Sequence, residues 1–180
     1  MSVKSWKVDT SVASLNELSS LCLLHDQVDR LLVALRLERS GNKWRHASDE
    51  AGDRVRRLFE PYILTSFQAS AWPGTELIKH PGLVFVVKFN ETVKDLMVKT
   101  EPNLNKWVHH GQPSLPEDIC LFKATGPHPS LVSVTHEKRA WLITNKTPEL
   151  QGVSINNGPT EGLYFEGEYF CRKYNKNHQQ

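Results

Sequence analysis

The sequence has few of the features that identify a protein class at once. Its three cysteines, Cys22, Cys120 and Cys171, are odd in number and form no CxxC pair, which argues against a disulfide framework and a zinc knuckle. The N-terminal residues contain no apolar stretch typical of a secretion signal, and no hydrophobic run is long enough to cross a bilayer. These absences predict a cytoplasmic protein with no membrane partner.

Motifs for catalysis and cofactor binding are also missing. The chain has no GxSxG elbow, no phosphate-binding glycine loop and no dinucleotide fingerprint. Its histidines form no HxH, HxxxH or HExxH pattern, so neither a metal site nor a cofactor is expected. The net charge of +2 is too small to imply a nucleic-acid partner.

Composition is that of an ordinary globular protein. The 180 residues are 39% hydrophobic and 23% charged. A chain of this length buries roughly 70% of its extended surface, so its core needs no disulfide or metal. We predict a helical segment over residues 1–60, a sheet domain over 61–172 and a polar tail over 173–180.

Three helices are predicted. Ser14 and Glu17 form a capping box, and leucines at helical spacing then extend to Leu35, which predicts one long N-terminal helix. A second helix is expected from about Ser48 and should end before Pro61. Asn90 caps a third, short helix in ETVKDLMVKT.

Most of the remaining chain is predicted to form strands. The segments rich in β-branched and aromatic residues are YILTSFQASA, LVFVVKF, DICLFKA, SLVSVTH, AWLIT and LYFEGEYF. NKTPELQGVSINNGPTEG separates the last two and is expected to be a long loop. The order of elements predicts an α+β fold with a mostly antiparallel sheet of five to six strands.

One stretch, LVSVTHEKRAWLIT, places a charged cluster between two apolar runs. It predicts an antiparallel hairpin whose turn contains Glu137 to Arg139. His136 would be the last inward-facing residue of the first strand. It could be a general base oriented by a carboxylate such as Glu117, Asp118 or Glu76, or a structural histidine that bonds to a backbone carbonyl.

A second corner is predicted at WPGTE, where Pro73-Gly74 forms a tight turn and Thr75 caps a short helical turn. Two alternatives remain for Glu76, which either faces water or converges with His136 on one cleft. The candidate catalytic residues are therefore His136, Glu137 and Glu76. The candidate binding residues are Trp72, Glu117 and Asp118.

The sequence favours one function, the binding of another protein, over two alternatives. Five tryptophans and an aromatic strand favour a protein-binding module, with another protein as the partner. A hydrolase or transferase for small molecules, using His136 with a carboxylate, is the alternative from another class. The basic stretch between Arg36 and Arg57, with Trp44 in it, could also bind nucleic acid, although acidic residues are interspersed.

Three segments resemble motifs of a small bacterial family. They are AWPGTELI at 71–78, LPEDICLF at 115–122 and LVSVTHEKRAWLI at 131–143. Members of that family often carry the label "stage III sporulation protein AH", although the membrane-anchored sporulation protein of that name is a different molecule. The resemblance covers roughly residues 60–145 and implies a bacterial protein, with no activity or catalytic residue to carry over.

Overall fold

A computed structural model describes residues 3–40, 43–46, 49–78, 80–108, 115–160 and 162–165. The helices within these residues are α1 (Leu15–Leu21), α2 (Asp49–Phe59) and α3 (Glu91–Thr100). The strands are β1 (Lys4–Val8), β2 (Arg30–Leu35), β3 (Leu37–Ser40), β4 (Lys43–His46), β5 (Ile63–Ala69), β6 (Ala71–Trp72), β7 (Thr75–Glu76), β8 (Gly82–Lys88), β9 (Glu117–Phe122), β10 (Pro129–Val134), β11 (Arg139–Thr144) and β12 (Val153–Ile155).

One large antiparallel sheet organises the fold. Its eight strands run in the order β12-β1-β11-β10-β9-β2-β8-β5, and every neighbouring pair is antiparallel. Two small hairpins, β3-β4 and β6-β7, lie outside it. The predicted α+β class with an antiparallel sheet is confirmed, but the sheet is larger than the five to six strands expected. The additional strands include β1 and β12, and β12 lies inside the segment predicted to be a loop.

The prediction of one long N-terminal helix is wrong. Helix α1 ends at Leu21 and continues as a π-helical turn, Cys22–Asp26, after which Gln27 is left-handed with φ 51°. Ser14 does occupy the N-cap position, but its side chain makes no capping hydrogen bond. The leucines of 31–35 lie on β2, where five consecutive residues are buried. A strand covered on both faces is apolar at every position, so its leucines also match helical spacing.

The first 60 residues are therefore not only helical. Strand β1 pairs with β11 and β12, and β2 pairs with β8 and β9, so this segment contributes two strands to the main sheet. The predicted tail at 173–180 lies outside the described residues. The predicted strand LYFEGEYF is described only at residues 163–165, and these residues do not form a strand. Its residues from 166 onward lie outside the described part of the chain.

The other helices agree with prediction. Helix α2 ends at Phe59 and is followed by a 3₁₀ turn that contains Pro61. Helix α3 begins after Asn90, whose Oδ1 accepts a hydrogen bond of 3.0 Å from the Val93 amide. Within the described part of the chain, no helix combines the length and the hydrophobicity needed to span a membrane.

The sheet separates two hydrophobic clusters, because adjacent strand residues point to opposite faces. On one face Leu31 and Val33 pack with residues from all three helices. On the other face Leu32 and Ala34 pack with the β6-β7 hairpin and Leu163. The helices therefore cover one side of the sheet, and a hairpin and the C-terminal part of the described chain cover the other.

Both predicted turns exist, although one has a different form. Strands β10 and β11 pair antiparallel with Val134 opposite Arg139, as expected for the charged hairpin. The predicted bounds of its turn are wrong: β10 ends at Val134, so His136 lies on the turn and not on the strand, and Arg139 already belongs to β11. Gly74 has φ 80°, a backbone conformation that glycine adopts readily, so Pro73-Gly74 does form a tight turn. The residues after it form strand β7, where a helical turn was predicted.

Candidate active site

The two acidic residues at the start of β9 lie together because the strand is irregular there. Leu32 pairs with Cys120 and Ala34 pairs with Glu117, so two β9 residues stand opposite one residue of β2. Asp118 within this bulge has φ 56°, a left-handed conformation that aspartate tolerates better than most residues. Regular strand geometry would send neighbouring side chains to opposite faces, whereas here the carboxylates of Glu117 and Asp118 both reach His136.

Asp118 is wholly buried and is the most heavily bonded group of the site. Its Oδ2 accepts hydrogen bonds from Trp72 Nε1 at 2.9 Å and Thr75 Oγ1 at 2.8 Å. Its Oδ1 accepts one of 3.2 Å from the amide of Thr135. Trp72 and Thr75 face each other across the β6-β7 hairpin, so one carboxylate holds that hairpin against the end of the sheet.

These donors decide the protonation state of Asp118. Burial raises the pKa of the carboxyl, but the adjacent His136 and the hydrogen bonds from Thr75 and Trp72 lower the pKa more in total. The pKa of Asp118 therefore lies below its usual value. The carboxylate is an anion at neutral pH although water does not reach it.

Glu117 is the second buried carboxylate, and two cationic side chains adjoin it. Arg36 Nη2 lies 3.4 Å from Glu117 Oε2, and Arg36 is itself only 24% exposed. His136 Nδ1 lies 3.4 Å from the same oxygen. Arg36 thus supplies the positive charge that a buried carboxylate requires.

His136 stands at the edge of this cluster, with its two ring nitrogens in different surroundings. Nδ1 faces inward, 3.4 Å from Glu117 Oε2 and 3.6 Å from Asp118 Oδ1. Nε2 lies 3.7 Å from Oε1 of Glu137, which is half exposed, and the His136 side chain is 27% exposed. The inner nitrogen therefore faces anions, and the outer nitrogen is on the side that solvent reaches.

The backbone that carries His136 is fixed by Thr135. Thr135 Oγ1 accepts a hydrogen bond of 3.2 Å from the Asp118 amide and donates one of 2.7 Å to the Trp107 carbonyl. The residues Thr135–Glu137 form a 3₁₀ turn, and Lys138 then reverses the chain with φ 55°. His136 is consequently held on a rigid turn.

This arrangement selects one form of the imidazole. An ionised carboxylate can only accept a hydrogen bond, so neutral His136 directs the hydrogen of Nδ1 towards the buried oxygens and keeps the lone pair on Nε2. When Nε2 takes up a proton, the same carboxylates stabilise the imidazolium. The site can therefore accept and return a proton at Nε2.

Three possible metal ligands do meet here, although no metal site was predicted. Ligand atoms of Glu117, Asp118 and His136 lie within 4.8 Å of one another. However, Trp72 and Thr75 already donate to Asp118, and the guanidinium of Arg36 lies against Glu117. A cation of fixed charge beside the ligands opposes binding of a second cation, so these contacts favour a proton-transfer site over a metal site.

The structure brings together most of the residues predicted from sequence. His136, Glu117, Asp118 and Trp72 share the site, and Glu137 lies at its outer edge. Glu76 does not join them. It pairs with Ala71 on the exposed face of the hairpin, opposite the face of Thr75, and it makes no contact with His136 among the described residues.

Sequence reasoning missed Arg36, Thr135 and the role of Thr75. Arg36 was assigned to a basic stretch, and Thr75 was expected to cap a helical turn. Arg36 directly follows the buried strand β2, but that segment was predicted to be a helix, so no signal in the sequence pointed to its role.

The two described cysteines and His128 do not belong to this cluster. Cys22 and Cys120 are free thiols, and burial raises the pKa of each well above its usual value, so neither is a ready nucleophile. His128 Nδ1 lies 3.0 Å from the Pro129 carbonyl. Cys171 and residues 109–110 lie outside the described residues.

Comparisons with known proteins give no relative. No protein-family model matches the chain, and neither the curated proteins nor the solved structures contain a significant match. The resemblance to the bacterial family with WPGTE and LPED motifs therefore stays a prediction.

Proposed function

We propose that the protein is a small-molecule hydrolase or transferase in which His136 is the general acid–base. The observation that supports this best is the position of His136 Nδ1, 3.4 Å and 3.6 Å from oxygens of two wholly buried carboxylates. Two buried anions on one face of a partly exposed histidine orient the ring and leave Nε2 for chemistry.

The proton path follows from this geometry. A water or substrate hydroxyl within hydrogen-bond reach of Nε2 loses its proton to His136 as it attacks the substrate. Glu117 and Asp118 face the imidazolium that forms, and Arg36 forms an ion pair with Glu117. His136 then returns the proton to the leaving group.

A protein-binding module is the less favoured function for a physical reason. That hypothesis depended on exposed aromatic anchors, but Trp72 is 4% exposed and Trp107 is 0% exposed. The indole N–H of Trp72 donates its hydrogen bond to Asp118. These two side chains stabilise the fold and the site, so they do not offer an interface.

Nucleic-acid binding also receives little support from the described part of the basic stretch. Arg36 contacts Glu117, and Arg56 contacts Asp53 at 3.2 Å while its guanidinium lies 5.8 Å from the centre of the Phe85 ring. The side chains of residues 37–51 lie outside what the structure describes.

A turnover experiment tests the proposed function. The wild type, His136→Asn and His128→Asn are compared on p-nitrophenyl esters, phosphates and glycosides. His136→Asn should reduce the rate on the accepted substrate by about 100-fold or more, because general acid–base catalysis contributes that much. His128→Asn is the matched control and should retain the rate.

Two results contradict the proposal. One is a wild type that turns over none of these substrate classes. The other is a His136→Asn variant that is as active as the wild type. A ¹⁵N spectrum of labelled histidine adds a check that needs no substrate, since neutral His136 should carry its hydrogen on Nδ1.

A further inference from the structure

A cleft opens on the face of the sheet next to the turn that carries His136. Its volume is about 530 Å³, which lies within the range of small-molecule sites. The side chains that define it are Lys7, Lys138, Arg139, Trp141, Pro159 and Leu163. A second cavity of about 400 Å³ adjoins it and shares Lys7 and Lys138.

All the charged side chains that are described in the lining of the larger cleft are positive. Its described lining contains three cations and no carboxylate. Arg139 is held by Glu137 at 3.1 Å, whereas Lys7 and Lys138 make no ion pair with any residue that the structure describes. Neither ammonium group at the wall between the two cavities is in direct contact with a carboxylate among the described residues, although Asp9 in the second cavity interacts with Lys7 at longer range.

The walls of the cleft are rigid where they carry these groups. Lys7 lies in the middle of three strands, opposite Trp141 on β11 and Ser154 on β12. The amide of Lys138 donates to the Thr135 carbonyl at 3.0 Å, and its carbonyl accepts from Thr10 Oγ1 at 3.4 Å. The two lysines therefore start from fixed backbone positions.

A neighbouring wall is braced by Asn156. Its Nδ2 donates to Ser5 Oγ at 3.2 Å, and its Oδ1 accepts from the Gly158 amide at 3.0 Å. Both ends of this amide are thus used inside the protein, which holds the loop that carries Pro159 against the cleft.

The rest of the lining is apolar. Trp141 is only partly buried, and Pro159 and Leu163 lie beside it. An indole surface flanked by cations suits a ligand that joins an aromatic ring to an anion, since the ring contacts Trp141 while the anion meets the ammonium groups.

We infer that this cleft binds a small aromatic molecule bearing a phosphate group, with the phosphate between Lys7 and Lys138 and the ring against Trp141. A phosphate dianion matches two cations that no carboxylate contacts directly, whereas a carboxylate neutralises only one. Lysine acts on phosphate as a point charge and needs no fixed fork geometry.

The cleft is also connected to the proposed active site. Glu137 bonds to Arg139 at 3.1 Å and lies 3.7 Å from His136 Nε2, so one side chain stands between the cleft and the histidine. That the bound molecule is the substrate of His136 rests on the proposed function. Binding in the cleft does not depend on it.

Calorimetric titration with phenyl phosphate tests the inference. The full chain is compared with a Lys7→Gln/Lys138→Asn double variant, in which asparagine suits the left-handed backbone of position 138. Each lysine should contribute about threefold to affinity, so the double variant should bind about tenfold more weakly. Phenol and benzoate, which lack a dianion, should bind more weakly than phenyl phosphate.

A Lys4→Gln/Lys146→Gln double variant is the matched control. It loses the same charge from two exposed lysines outside the cleft, so it should bind like the wild type. The inference is overturned if the wild type does not bind phenyl phosphate at about 5 mM, if benzoate binds equally well, or if both double variants lose affinity to the same degree.

The two proposals can fail separately. Binding of phenyl phosphate that depends on Lys7 and Lys138, without any turnover, supports the cleft and contradicts the catalytic role of His136. Turnover that depends on His136, while the cleft double variant binds and reacts like the wild type, supports the catalytic role and overturns the inference about the cleft.

Discussion

Trp72 Nε1 donates a buried hydrogen bond of 2.9 Å to Asp118 Oδ2, across 46 residues of sequence. This bond joins a two-residue strand outside the main sheet to the bulge of β9. It keeps Asp118 charged without water, and it fixes the carboxylate that faces His136. Several consequences for stability can be measured.

The Trp72 hydrogen bond should be visible as a difference between two tryptophan variants. Trp72→Phe removes the donor to a buried anion, whereas Trp6→Phe removes an indole N–H that has no hydrogen-bond partner among the described residues. Both changes also reduce packing. Trp72→Phe should therefore lower the free energy of unfolding by about 2 kcal/mol more than Trp6→Phe. Urea unfolding measures both, and equal losses would show that the bond contributes nothing.

Replacing a buried aspartate by neutral asparagine should lower the stability at pH 7 for Asp118 but not for Asp26. Asparagine tolerates the left-handed backbone of position 118, so Asp118→Asn changes only the side-chain chemistry. It places a neutral amide beside the Trp72 and Thr75 donors and should lower the free energy of unfolding by about 3 kcal/mol. In contrast, burial raises the pKa of Asp26, so its charged form is disfavoured by folding. Asp26→Asn should leave the stability unchanged or increase it, with Thr144 still able to donate to the new amide oxygen. A destabilised Asp26→Asn protein would contradict this assignment.

Protonation of Asp118 should make the stability of the protein fall at low pH. Its folded pKa lies below the unfolded value of about 3.9, so the unfolded state binds the proton more readily. Its contribution is complete above that unfolded value and is lost as the pH falls through the folded pKa. Unfolding curves measured downward from pH 6 should show the wild type losing stability more steeply than Asp118→Asn below about pH 4. Parallel curves for the two proteins would disprove the linkage.

Replacing glycine by alanine should destabilise the protein at Gly82, near the site, and stabilise it at Gly52, in helix α2. A Cβ at Gly82 would lie 2.8 Å from Trp72 Cη2 and 3.1 Å from the Leu35 carbonyl oxygen, so Gly82→Ala should destabilise by about 2 kcal/mol. A Cβ at Gly52 in α2 would make only ordinary contacts, the nearest at 3.5 Å from Arg56 Nη1. Gly52→Ala should stabilise by up to about 1 kcal/mol, because alanine favours the helix. Thermal unfolding compares the two variants, and a stable Gly82→Ala protein would mean that Trp72 can move.

Local features of this protein were predictable from sequence because their causes are local. Asn90 caps α3 through an amide three residues away, and Pro73-Gly74 forms a turn from its own backbone preferences. The β10-β11 hairpin likewise follows from two apolar runs around a short charged stretch. Pairing Glu117 and Asp118 with His136 was proposed on chemical grounds, since a strand-end histidine needs a carboxylate to orient it.

Tertiary structure decided the features that depend on distant parts of the chain. Leu31 and Leu35 fit a helix by spacing and lie in a strand, because β8 and β9 supply partners on both sides of β2. Arg36 became part of the site only by meeting Glu117, 81 residues away. Glu76, two residues beyond the Pro73-Gly74 turn, was excluded from it because the hairpin turns Thr75 toward Asp118 and its neighbour toward solvent. Local preferences determine short elements, whereas the partner of a buried charge depends on which distant strands become neighbours.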